Sequence, residues 1–121
     1  MVQYDVRLDA TFSALADPTR RRVLERLGAR DASITDLADA CAMTLTGMKK
    51  HVRVLEDAGL VTTEKVGRTR TCRLGPRRLE EEVAWMSRYQ AMLEARYDRL
   101  GTLLARLQGA APDATHHGDP P

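Results

Sequence analysis

Aromatic side chains are nearly absent from this 121-residue chain, which has one Phe, one Trp and three Tyr. An interior with so few rings has to be built from Leu, Ala, Val and Met, a mixture that suits helices better than sheets. Cysteine is equally sparse. Cys41 and Cys72 are too few and too far apart in sequence for a disulfide framework. No apolar run approaches the roughly 20 residues of a membrane span, and the opening MVQYDVRLDA has no signal-peptide core. These absences together predict a cytoplasmic chain with no membrane partner. Also missing are a Gly-rich phosphate loop, a nucleophile beside a His and a metal-ligand cluster, so an enzyme is not expected.

What is present is an uneven charge. The net value is only +2. Residues 44–74 nevertheless hold seven basic side chains (Lys49, Lys50, Arg53, Lys65, Arg68, Arg70, Arg73) against three acids (Glu56, Asp57, Glu64). Residues 1–43 carry six basic and seven acidic side chains. A basic footprint inside a near-neutral chain is what phosphate binding requires, although a solvated charged face has the same composition.

Periodicity organises the chain into one domain over residues 1–108 and a Gly/Ala/Pro/His/Asp-rich tail over 109–121 expected to be disordered. A first helix is predicted over about 6–16, with Leu8, Thr11, Phe12 and Leu15 on one face. Asp17-Pro18 opens a second, running to about Ala29 with Val23, Leu24 and Leu27 inward. After a possible extended step at Ser33-Ile34, Thr35 caps a short third helix with Leu37, Ala38 and Cys41 inward. Thr44 or Thr46 caps a fourth, which ends at Ala58 with Gly59 as its left-handed cap. Met48, Val52 and Leu55 form the buried stripe of that helix and leave Lys49, Lys50 and Arg53 outward.

From Leu60 the period shortens. Two β-branched runs, 60–65 and 70–74, flank Val66-Gly67-Arg68-Thr69 as a two-stranded hairpin with a basic tip. Two tight helices and then a basic hairpin is the order of a winged helix-turn-helix. In that arrangement the fourth helix enters the major groove, so Thr44, Thr46, Gly47, Lys49, Lys50 and Arg53 are its candidate DNA contacts. Lys65, Arg68 and Arg70 are the candidates on the wing. His51 stands as either a DNA contact or a locally bonded surface residue. A last helix, about Arg78 to Gln108, carries Val83, Met86, Gln90, Leu93, Tyr97, Leu100, Leu104 and Leu107 at alternating steps of three and four. A domain this small cannot cover such a stripe alone, so a second copy of the chain is expected to meet it. The fold class is thus mainly α with a small β-hairpin, ending in a long dimerisation helix.

Four stretches, FSALADPTRRRVLERL, ITDLADA, MTLTGMKKHVRVLEDAGLV and VTTEKVGRTRTCRL, together resemble the ArsR/SmtB family of winged-helix repressors. The resemblance covers about nine-tenths of the chain. It implies a two-fold dimer on double-stranded DNA, in which the last helix pairs with the first, so that Leu8 and Phe12 join Val83, Met86, Leu93, Tyr97, Leu100 and Leu104 in the interface. It also implies repression of the protein's own operon, released by an inducer whose identity the residues do not give. The family's metal ligands are not matched. Ser33-Ile34-Thr35 stand ahead of Asp36-Leu37 where thiolates are required, and residues 78–108 contain no His. No metal and no other cofactor is therefore expected.

Several residues admit two readings. Cys41 and Cys72 form either a thiol switch or ordinary small core positions. The run Arg20-Arg21-Arg22 touches phosphate, or Arg20 and Arg21 instead form a solvated face or ion pairs with Asp17 and Glu25. Trp85, Tyr89 and Tyr97 line an effector pocket or pack in a core or dimer contact. Glu80-Glu81-Glu82 suits the positive end of the long helix and needs no further role. A winged helix that docks a protein in place of DNA is the competing function. The four cations on the wing, Lys65, Arg68, Arg70 and Arg73, argue against it.

Overall fold

The computed structural model describes residues 6–109. The elements run α1 (Val6–Leu15), α2 (Pro18–Ala29), β1 (Ala32–Ser33), α3 (Ile34–Ala40), α4 (Leu45–Asp57), β2 (Val61–Val66), β3 (Thr69–Leu74) and α5 (Glu80–Leu107). They divide into two compact units, one up to Glu82 and one from Val83 onward. The tail expected from 109 lies outside the described residues, except for Gly109.

Capping chemistry sets most of the boundaries in the first unit. Asp17 takes the N-cap of α2, its carboxylate accepting from the amides of Thr19 (2.7 Å) and Arg20 (3.2 Å), and Pro18 fills the first helical position. Gly59, at φ +78°, closes α4: its amide bonds to the carbonyl of Glu56, and the Leu60 amide bonds to that of Leu55. That is the paired bonding of a Schellman cap. The same pair of bonds ends α3, from Ala42 to Asp39 and from Met43 to Ala38, but here the left-handed residue is Ala42, at φ +52°.

Ala14, Val23, Leu27, Ile34, Leu37, Met48, Val52, Leu55, Val61 and Cys72 make one core from the first four helices and the sheet. Leu37, Met48 and Leu55 are its largest fully covered apolar side chains.

Three details differ from the sequence expectation. The sheet has three strands, in the order β1-β3-β2, because Ala32 and Ser33 pair with Cys72 and Thr71 beside the hairpin. The cap of α3 is Ser33 in place of Thr35: its hydroxyl accepts from the amide of Asp36 at 3.0 Å, so the helix starts earlier and Ile34 is buried. The last helix begins at Glu80, since residues 75–79 are not helical. Arg77 in that segment is anchored to Thr11 of α1, as described below.

In the second unit, α5 continues to Leu107, so its 28 residues span about 42 Å. Its expected stripe is largely open: Val83, Met86, Tyr97, Leu100 and Leu104 are all roughly half exposed, while Leu93 is half-buried. Trp85 and Tyr89, one turn apart, stack with ring centroids 5.6 Å apart and planes inclined by 5°. Among the described residues no helix is long and apolar enough to cross a membrane.

Candidate nucleic-acid interface

Helix α4 is presented by its own sequence pattern. Thr44 adopts extended backbone at the N-cap and accepts from the amide of Gly47 at 3.1 Å, so the alternative cap Thr46 is inside the helix. Met48, Val52 and Leu55 then fall on one buried face. Lys49, Lys50 and Arg53 are exposed, as are Thr44 and Thr46, while Gly47 is half-buried. The residues expected to read DNA thus lie along the uncovered side and first turn of the helix.

The hairpin stands beside this helix. In its register Val61, Thr63 and Lys65 face Leu74, Cys72 and Arg70, which places all six on one side of the sheet. Val61 and Cys72 are buried at its base, and Lys65 and Arg70 carry the same side outward. The turn is two residues, Gly67-Arg68, and the positive φ (+63°) falls on Gly67, as a tight hairpin turn with glycine first requires. Lys49, Arg53 and Glu56 of α4 and Thr63, Lys65, Arg68 and Arg70 of the hairpin all line one open groove of about 880 Å³. Of the ten predicted DNA contacts, five therefore share a groove: Lys49, Arg53, Lys65, Arg68 and Arg70. Lys50 and the first-turn residues lie on α4 outside it.

Besides the capping pair Thr44 and Gly47, two of the ten, His51 and Arg70, have side-chain partners elsewhere in the protein. His51 is half-buried and its Nδ1 accepts from Arg20 Nη1 at 3.2 Å, a contact that needs Nδ1 unprotonated. Arg70 donates to the hydroxyl of Thr63 at 2.9 Å, and that hydroxyl donates to Glu56 at 2.9 Å.

Sequence reasoning missed what the arginines of α2 do. Arg20 donates through Nε to the carbonyl of Ala14 (2.8 Å) and through Nη2 to that of Ser13 (3.0 Å), and Arg21 donates to that of Leu15 (2.7 Å). These carbonyls lie in the last turn of α1, where that of Ser13 also accepts from the Ala16 amide at 3.2 Å, so the two side chains act as its C-terminal cap. The contact between Arg20 and Asp17, at 4.0 Å, is the longest ion pair recorded among the described residues.

Also missed was the acid at the start of α5. Glu82 is 1% exposed and pairs with Arg77 at 2.5 Å, and Arg77 donates to Thr11 at 2.6 Å. Burial pushes the Glu82 carboxyl up, but the Thr11 hydroxyl and the Arg77 guanidinium outweigh it and hold the carboxyl below its ordinary range.

The thiols differ from each other. Cys72 is fully covered on the central strand, and burial, helped by the nearby Glu56 carboxylate, pushes its pKa up to about 11. Cys41 is half-buried at the end of α3. No group of three or more His, Cys, Asp or Glu placed to hold a metal occurs among the described residues.

A helix presenting a basic face beside a basic, turn-tipped hairpin is the working part of a winged helix-turn-helix protein, and known proteins agree. The family described as Helix-turn-helix domain matches residues 15–64. An HTH-type transcriptional regulator of Bacillus subtilis, YuzN, is 39% identical over 51% of this chain and 75% of its own. The crystal structure of the ArsR family transcriptional regulator RHA00566 is 41% identical, covers 78% of this chain and 97% of its own, and superimposes with a TM-score of 0.68. The homodimeric winged helix-turn-helix DNA-binding domain Mb0332 of Mycobacterium bovis shares the fold at 19% identity, with a TM-score of 0.56 over 82% of this chain and 95% of its own. The chain belongs to the ArsR family of winged helix-turn-helix transcriptional regulators, which are DNA-binding proteins and not enzymes.

Proposed function

We propose that the protein is a sequence-specific repressor that binds a palindromic operator as a homodimer, its own promoter included. The observation that carries this reading is the shared groove: cations of α4 and of the hairpin line it together. A duplex that takes α4 into its major groove brings a phosphate backbone to the wing. Thr44, Thr46, Gly47, Lys49, Lys50 and Arg53 then serve the major groove, and Lys65 and Arg68 the backbone. Occupying a promoter in this way excludes polymerase.

Dimerisation is supported by the apolar face of α5. Val83, Met86, Tyr97, Leu100 and Leu104 remain about half exposed along a helix of 28 residues. Such a face is wide for a monomer to leave in water. A second copy is its natural cover, and the Mb0332 domain, which shares the fold, is homodimeric. Leu8 and Phe12 of α1, both half-buried, are the remaining proposed interface residues. A two-fold dimer places half-sites about 34 Å apart, one helical turn, which is why a palindrome is expected.

The test is fluorescence anisotropy with the DNA upstream of the protein's own gene, against a scrambled duplex, at two salt concentrations. Specific binding with a steep salt slope is the expected result. Lys50→Ala or Arg53→Ala should weaken it by about 1 kcal/mol or more, and Arg68→Ala should weaken it evenly across sequences. Equal affinity for the scrambled duplex with no salt dependence would instead favour a protein-docking wing.

A further inference from the structure

We propose that Arg70 is a positioning residue, which through Thr63 and Glu56 fixes the wing against the recognition helix and does not contact the phosphate backbone. The inference rests on the DNA-binding reading above and reassigns one of its cations.

The hairpin is supported unevenly along its length. Strand β1 pairs only with Thr71 and Cys72, so toward the tip the sheet thins from three strands to two. A lone two-stranded ribbon is marginally stable in water. The relay sits where the third strand ends. Glu56 belongs to the last turn of α4, Thr63 to β2 and Arg70 to β3, so one hydroxyl joins three elements.

The direction of the bonds is consistent throughout. Arg70 Nη1 donates to Thr63 Oγ1, and Thr63 Oγ1 donates to Glu56 Oε2, each at 2.9 Å. With a cation at one end and a carboxylate at the other, each bond polarises the next. The register also explains why Arg70 turns this way. It stands directly opposite Lys65, and like charges in that position repel. Bonding to Thr63 brings the guanidinium toward a carboxylate, which offsets that repulsion. Both ends of the relay are felt at Cys72, where Glu56 raises and Arg70 lowers the thiol pKa.

The informative variant is Thr63→Val, which keeps shape and charge and removes only the hydroxyl. Full-length protein would be titrated onto its operator duplex at several salt concentrations, and wing mobility would be read from ¹⁵N relaxation of Val66–Thr69 without DNA. Thr63→Val is expected to bind about threefold more weakly, the scale of an exposed polar pair, and to loosen the wing; Thr63→Ser is expected to restore both. Glu56→Ala removes an acid from a DNA-facing groove, which by charge alone tightens binding, yet it is expected to weaken it. Arg70→Ala is expected to weaken binding without changing the salt slope.

Tighter binding by Glu56→Ala, or a salt slope lower by about one in Arg70→Ala, would overturn the proposal and return Arg70 to the phosphates. An unchanged wing in Thr63→Val would overturn it without any DNA. If wild-type protein fails to bind specifically, the functional reading falls while the relaxation experiment still decides the relay.

Discussion

Arg77 and Glu82 offer the sharpest perturbation of the fold. Replacing Arg77 by Met leaves the Glu82 carboxylate, 1% exposed, without its ion-pair partner. Breaking a buried pair by removing one member costs about 3–5 kcal/mol. The Arg77 side chain is still 12% exposed, so water relieves part of the penalty and the lower end, about 3 kcal/mol, is expected. For a chain of 121 residues that is about 12 °C in Tm. Urea unfolding followed by circular dichroism at pH 7 measures it directly.

The pH dependence supplies a second arm. In the wild type the folded Glu82 carboxyl is held below its unfolded value, so its stabilisation is present above about pH 5 and is lost as pH falls through the folded value. Without Arg77, burial dominates and the carboxyl rises, so the variant's deficit should shrink as the pH is lowered toward 4. The double variant Arg77→Met/Glu82→Leu should recover most of the loss. The native pair leaves Arg77 Nε and Glu82 Oε1 without a hydrogen-bond partner, and imperfectly satisfied pairs are often replaced by apolar residues at little cost. A loss below 1 kcal/mol for Arg77→Met, or a double variant no better than the single, would refute the reasoning.

Three further outcomes are expected. Ala42→Gly should stabilise the protein by about 1 kcal/mol in urea unfolding, because Ala42 holds a left-handed conformation (φ +52°) that glycine adopts without strain. Ellman titration of native protein should show one reactive thiol, lost in Cys41→Ser, since Cys72 is covered and its pKa of about 11 keeps it protonated at neutral pH. Peroxide should then leave DNA affinity unchanged in a Cys41→Ser background. Leu100→Glu with Leu104→Glu should convert the proposed dimer to a monomer in light scattering, by placing charge in the open apolar face of α5.

Which parts of this molecule the sequence reveals follows from the range of the forces involved. Helix positions were legible because caps and periodicity act within one or two turns: Asp17-Pro18, Thr44 and Gly59 each sit at the boundary their chemistry demands. The buried stripe of α4 was legible for the same reason, and with it the outward face that carries Lys49, Lys50 and Arg53. What escaped depends on partners distant in the chain. The extended step read at Ser33-Ile34 is too short to announce a strand, and it becomes one, over Ala32 and Ser33, because β3 offers an unpaired edge. Glu82 read as one of three acids suited to the positive end of the last helix, since nothing local shows that Thr11, seventy-one residues earlier, and Arg77 lie beside it. Arg20 and Arg21 read as a solvated face or as ion pairs, and Arg20 does lie 4.0 Å from Asp17, but the end of α1 also supplies three carbonyls for them to cap. The same limit reaches the interface itself. Composition gives the wing its positive charge but does not say which cations are free to meet phosphate. Arg70 and Lys65 are indistinguishable as residues in a list. They separate only when the register sets them opposite each other and Thr63 and Glu56 give one of them somewhere else to turn.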